Sequence, residues 1–207
     1  MKSINWIQLF FGFALIGLVA CTSNTATENE GEEEVTEEEQ APADEATTMS
    51  GENYTISVLE SGIPSPRKEM KGTIEGVEVT VNYGSPSVKG RTIWGDLVPY
   101  DEVWRTGANK ASSITFSSDV MINGQKLGAG TYGIFTVPGE SEWVVIFNNN
   151  SDMWGSGDYT EDQDALRVTV QPEMQENSQE AMEFVVEGNQ VVIMWDKVAV
   201  PFTVAPA

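Results

Sequence analysis

Residues 73–83 read TIEGVEVTVNY, and Val77, Val79 and Val81 alternate there with Glu78, Thr80 and Asn82. A period of two sends successive side chains to opposite faces of an extended chain, so this stretch predicts a β-strand with one face in a core and one in water. The same kind of run recurs from Tyr54 onward. Segments rich in Val, Ile, Thr, Phe and Trp fall at residues 113–117, 120–122, 131–137, 143–147, 166–170, 182–186, 191–195 and 198–204. Asn123-Gly124 and Gly188-Asn189 sit between apolar neighbours and have the chemistry of two-residue hairpin turns, which need positive φ. Pro201 has no amide hydrogen, which marks the last strand as an edge or a bulge. Many short strands with little helical periodicity predict an all-β domain: an antiparallel two-sheet β-sandwich of jelly-roll or immunoglobulin-like character, with long loops.

Composition separates that domain from what precedes it. Of 207 residues, 53–207 form the foldable part, one domain large enough to be held by a hydrophobic core alone. It has no disulfide to help it, because Cys21 is the only cysteine. The formal net charge is −21, and removal of residues 1–20, which hold one Lys and no acid, leaves −22. No basic run offsets this, so nucleic acid is excluded as a partner and anionic membrane surfaces are disfavoured. The chain has no histidine, which removes Ser-His-Asp and Cys-His nucleophiles and imidazole zinc sites. An enzyme built from this chain would have carboxylates, Lys, Tyr, Ser or Thr, or an oxygen-bound metal to work with.

The amino terminus reads as an address. Lys2 precedes the apolar stretch of residues 6–20, which has the order of a secretory signal peptide spanning residues 1–20. Leu18-Val19-Ala20-Cys21 resembles the lipobox of bacterial lipoproteins. That resemblance implies cleavage before Cys21 and diacylation of its thiol with chains such as palmitate, and two or more chains give stable membrane anchoring where one does not. The alternative is an uncleaved membrane helix, for which the apolar stretch is short against the roughly 20 residues a span requires. Residues 21–52 follow as an acidic tether, with eleven acids, no base and little to bury, a composition that predicts a disordered spacer. The expected location is the cell envelope, as an outer-membrane lipoprotein of a Gram-negative bacterium, periplasmic or surface-exposed. The expected partner at this end is the membrane itself, through Cys21.

Residues 84–111, GSPSVKGRTIWGDLVPYDEVWRTGANKA, form a long connection with no clear strand of its own, and long connections in compact domains are commonly functional. Lys89, Arg91, Arg105 and Lys110 outweigh Asp96, Asp101 and Glu102, giving a net of +1 where the rest of the domain is −12. Flat rings beside forked donors suit recognition of carbohydrate or carboxylate. Arg91, Trp94, Tyr100, Trp104, Arg105 and Asn109 are therefore the candidate ligand-binding residues. In the competing reading, Trp94 and Trp104 are core plugs and the arginines pair structurally with Asp96, Asp101 or a distant acid.

The strings Ser65-Pro66-Arg67, residues 83–91 (YGSPSVKGR), Trp94-Gly95 and residues 103–109 (VWRTGAN) resemble the domain of unknown function 2911 family. Residues 129–132 (AGTY), Trp154-Gly155, Tyr159, Asp164 and Arg167 continue the resemblance, which covers about residues 62–172 and leaves 173–207 outside its firm part. The family implies export in Gram-negative bacteria and carries no established activity, so it adds location and fold and no mechanism.

Other chemistry is weaker. In residues 148–161, counting from Asn150, oxygen-bearing side chains fall at calcium-loop positions 1, 3, 9 and 12 with Gly155 at 6, but position 5 is Trp154, which cannot ligate. No metal and no cofactor are therefore called for. Three functions remain open. The first is a non-enzymatic envelope domain binding a glycan, peptide or envelope partner through the 84–111 face. The second is a carboxylate-based hydrolase of envelope polymers, with Asp96 or Asp101 as acid or base and Arg105 as clamp. The third is a structural envelope protein without a small ligand.

Overall fold

The computed structural model describes residues 48–207; the expected signal peptide, Cys21 and the tether as far as residue 47 lie outside the described residues. Twelve strands and a single 3-10 turn (Glu161–Gln163) make up the regular structure described, with no α-helix among them. The strands are β1 (Thr48–Ser50), β2 (Tyr54–Glu60), β3 (Arg67–Ile74), β4 (Val77–Gly84), β5 (Ser112–Phe116) and β6 (Val120–Ile122). They continue as β7 (Gln125–Leu127), β8 (Gly130–Val137), β9 (Trp143–Asn148), β10 (Asp164–Val170), β11 (Glu173–Glu187) and β12 (Gln190–Pro206). All pairings are antiparallel, in one eight-stranded sheet of order β1-β2-β3-β4-β5-β8-β9-β10 and one four-stranded sheet of order β11-β12-β6-β7. The all-β, two-sheet expectation holds, and neither sheet closes into a barrel.

Local structure follows local chemistry. Residues 73–83 are two strands and not one: Glu75 (φ 48°) and Gly76 (φ 87°) form a two-residue turn that pairs Ile74 with Val77. The alternation is correct on the far side of that turn, where Val77, Val79 and Val81 are buried and Glu78 faces water. Asn123 and Gly124 (φ 45° and 79°) turn β6 into β7 in the same way.

The carboxy-terminal strands run much longer than the apolar segments suggested. β11 spans 15 residues and β12 spans 17, with irregular register between Met174 and Glu183 and a positive φ of 51° at Asp196. The polar stretch QENSQE (175–180) hides this in the sequence, because it extends beyond the core and is mostly exposed on both sides. Pro201 lies between the pairing of Val198 and Ala199 with β11 and the pairing of Val204–Pro206 with β6, so no ladder bond there requires its missing donor. The first strand starts at Thr48, within the stretch expected to be tether; uncharged Thr48-Met49-Ser50 pairs with residues 55–57.

One core lies between the sheets, built from Val79, Val81, Ile114, Phe116 and Phe147 of the large sheet and Phe184, Val192, Trp195 and Phe202 of the small one. A smaller cluster of Ala111, Phe135, Ile146 and Met153 covers the other face of β8 and β9. Within the main core sits a charged contact. Glu183 of β11 accepts from Lys68 of β3 through one carboxylate oxygen and from the Tyr83 hydroxyl of β4 through the other, at 2.6 Å. The Lys68 and Glu183 side chains are 11% and 4% exposed, so the pair is desolvated and its partners cannot be exchanged for water. Burial, followed by the Glu183 charge, holds the Tyr83 hydroxyl far above the usual phenol range, so it stays a donor.

Removing one member should cost more than removing all three. Glu183→Ala leaves an ammonium buried without its counter-charge and is expected to lower stability by about 3–5 kcal/mol. The triple replacement Lys68→Met, Tyr83→Phe, Glu183→Leu should recover most of that loss, as urea unfolding of the variants would measure.

Candidate functional site

The connection between β4 and β5 is pinned to both sheets. Near its start, the Ser85 hydroxyl donates to the Met182 carbonyl (2.7 Å), the Met182 amide to Pro86 O (2.9 Å) and the Val88 amide to Glu180 O (2.8 Å), tying it to β11. Further on, Trp104 and Thr136 exchange two backbone bonds of 2.8 and 2.9 Å, tying it to β8. The loop thus roofs the end of the core where the sheets part, and four indoles fill that end. Trp94 meets Trp143 at 4.8 Å, Trp195 at 5.7 Å and Trp104 at 5.8 Å, all edge to face, while Trp104 stacks on Trp195 at 5.8 Å and 19°.

Immediately after Trp104 the backbone is strained. Thr106 (φ 52°), Gly107 (φ 152°) and Asn109 (φ 62°) all occupy the left-handed half of conformational space, and two of them are not glycine. The structure over-determines them: the Ser112 hydroxyl donates to Thr106 O (2.7 Å), Thr106 bonds Thr136 side chain to side chain (3.2 Å), and the Ala108 amide donates to Gly84 O (3.2 Å). Gly84 is required by this approach, because a Cβ there would lie inside the van der Waals surface of the Ala108 carbonyl.

Two clefts flank this turn and share Ser65 and Ala108 in their walls. The inner one, about 200 Å³, is lined by Arg91, Leu97, Val98, Trp104, Arg105 and Trp195, among others. The outer one, about 580 Å³, has Glu60, Arg67, Asn109, Lys110 and Trp154 along its walls. Three buried side-chain nitrogens among the described residues make no hydrogen bond, and all belong to this region: Arg105 Nε, Trp195 Nε1 and Trp94 Nε1. The Arg105 guanidinium makes no ion pair among the described residues, in a chain with 32 acids and 11 bases. Burial lowers its pKa, yet an arginine starts so high that it remains a cation at neutral pH.

The candidate residues divide accordingly. Arg91, Trp104 and Arg105 come together in the inner cleft, although Arg91 turns its guanidinium back onto Val88 O (3.1 Å) and Ser87 O. Trp94 packs into the main core against the other indoles, and Tyr100 lies against Gly95, where a Cβ would stand 2.9 Å from its ring. Asn109 faces the outer cleft, its amide 3.4 Å from Ser65 O. Trp104 also packs against the core, so the plug role and the wall role coexist in one residue. Trp195, Arg67 and Trp154 join the site without having been among the candidates. Arg67, in the string Ser65-Pro66-Arg67, is half-buried and donates to Asn82 O (3.1 Å) and Lys110 O (3.4 Å), with no carboxylate paired to it among the described residues.

The carboxylates considered for hydrolysis are placed elsewhere. Asp96 and Asp101 are exposed, and neither is part of the wall that holds Arg105. Elsewhere in the domain, Asp164 accepts from Asn148 (2.8 Å), Tyr159 (2.7 Å) and Arg167 (3.2 Å) and is fully engaged. In the 148–161 loop, Asp152 is paired to Lys110, which holds its carboxyl below the usual range. Asn148 and Asn150 cap backbone amides at 2.9 and 3.2 Å. No group of three or more acid or cysteine side chains among the described residues is arranged to hold a metal ion.

These features define a class: two-sheet all-β proteins in which a strained loop, pinned to both sheets, roofs an arginine-bearing aromatic cleft. The chain belongs to the family described as "Protein of unknown function (DUF2911)", whose family model matches residues 65–204. The match runs well past residue 172, through β11 and β12, so Glu183 and Trp195 lie inside it. No curated protein and no solved structure matches.

Gly84→Ala tests whether the close approach of Gly84 to Ala108 holds the strained turn over the indoles. The added methyl must displace Ala108 and with it the strained turn, so a destabilisation of about 1–3 kcal/mol is expected, together with loss of the near-ultraviolet circular dichroism of the packed indoles.

Proposed function

We propose that this chain is an outer-membrane lipoprotein of a Gram-negative envelope, anchored through Cys21, whose β domain binds a glycan, peptide or envelope partner without chemistry on it. The anchor and location rest on the order of Lys2, the apolar stretch, the lipobox-like Leu18-Val19-Ala20-Cys21 and the acidic residues after it. Binding rests on one observation above the others: Arg105, a half-buried cation with no ion pair among the described residues, in the wall of a cleft beside Trp104 and Trp195. A ligand oxygen at the cleft wall would give this guanidinium the charged partner it lacks among the described residues. The guanidinium is planar and forked, and the ligand group that best matches it is a carboxylate.

Two measurements check the reading. Cys21→Ser should abolish palmitate labelling of the expressed chain and shift it from the membrane to the soluble fraction. Arg105→Lys keeps the charge but loses the fork, and should weaken binding of a carboxylate-bearing envelope fragment by about tenfold, the scale of one charge-assisted hydrogen bond. Equal binding by wild type and variant in calorimetry would refute the role given to Arg105.

A further inference from the structure

The 148–161 loop has oxygen-bearing side chains at calcium-loop spacing, but its most unusual residue is Trp154, which cannot bind a metal. Trp154 is 75% exposed, far more than the indoles of the 94, 104, 143 and 195 cluster. Its backbone is nevertheless tied down. Residues 110 and 154 form a β-bridge, the Gly155 amide donates to Asn109 O (3.2 Å), and the Ala111 amide donates to the carbonyl of Met153, whose side chain is buried at 2%. A solvent-facing indole carried on a pinned backbone offers a flat apolar platform, which is the arrangement of a recognition surface.

The platform forms a wall of the outer cleft, with Ile63, Pro64 and Ala108 beside it and Arg67, Asn109 and Lys110 as nitrogen donors around it. An apolar face ringed by donors complements a pyranose, which has an apolar C–H face and an equatorial rim of hydroxyls. Across the ridge of Ser65 and Ala108 lies the inner cleft with Arg105 and the buried, unpartnered indole nitrogen of Trp195, which is 1% exposed. Together the two linings carry Arg67, Arg91, Arg105 and Lys110, the last paired to Asp152 outside the lining, against one lining acid, Glu60, on a domain of strongly acidic composition. The charge selects an anion and the platform selects a sugar over a peptide.

We infer that the two clefts form one continuous site for an acidic oligosaccharide, with a sugar ring on Trp154 and the carboxylate of an adjacent uronic acid on Arg105. The inference rests on the reading of Arg105 as a carboxylate ligand and adds the ligand class and the second contact point.

Calorimetry on the full-length chain tests it, with tetramers of galacturonic and mannuronic acid, their methyl esters, the free monomers, and tetra-alanine as a peptide with a free carboxylate. At least one uronic tetramer should bind, its methyl ester should bind at least tenfold more weakly, and Trp154→Ala should weaken the tetramer at least tenfold. Trp154→Phe should restore most of the tetramer affinity. The exposure of Trp154 makes it safe to replace without loss of the fold. If a monomer or tetra-alanine binds in an Arg105-dependent way while Trp154→Ala has no effect on any probe, the oligosaccharide inference is overturned and the Arg105 reading survives. If no probe binds, or Arg105→Lys binds every probe as the wild type does, both are overturned.

Discussion

The contact of Lys68 and Tyr83 with Glu183 is the constraint on which the rest of the described structure depends. A sandwich without cross-links can slide one sheet over the other, since apolar contacts are non-directional and each register buries similar area. A buried carboxylate with two specific donors, one on β3 and one on β4, is satisfied in one register alone. Its next neighbour in β11, Met182, takes the Ser85 hydroxyl on its carbonyl and gives its amide to Pro86. From there the loop is committed to its path over the indoles, to the strained turn at residues 106–109 and to the placement of Arg105. The site is in this sense the far end of a chain of bonds that starts with a core ion pair.

The sequence carried most of the strands and almost none of this connectivity. Alternation at Val77, Val79 and Val81 and the Asn123-Gly124 turn are local signals, and local signals survive in one dimension. Glu75-Gly76 was missed because a Glu in the left-handed region leaves no compositional trace as strong as Asn-Gly. The length of β11 was hidden because a strand that leaves the core loses the hydrophobic pattern by which strands are recognised. Lys68 and Glu183 are 115 residues apart, and an acid among 32 acids gives no hint of being the buried one.

Of the candidate ligand residues, Arg91, Trp104 and Arg105 meet in one cleft and Asn109 borders the next, so the loop's clustering was legible while the residues it meets there were not. Trp195 and Arg67 come from strands on either side of the loop, and their membership depends on folding. The strained turn could be suspected from a Gly between Thr and Ala-Asn, and Asn109 tolerates positive φ, but positive φ at Thr106 is a property of the path and not of that residue. The turn between the clefts is a place where local preferences are overruled by tertiary contacts, and sequence reasoning is weakest in such places.

The distribution of the indoles has a spectroscopic corollary. Four rings with centroids 4.8–5.8 Å apart are close enough for their transitions to couple, so the cluster absorbs and emits as a unit buried beneath the inner cleft. Trp154, set apart in water at the outer cleft, emits alone and to the red. Among the described residues the indoles therefore make two fluorophores separable by wavelength and by quencher access, one at each cleft, with no need of an added label.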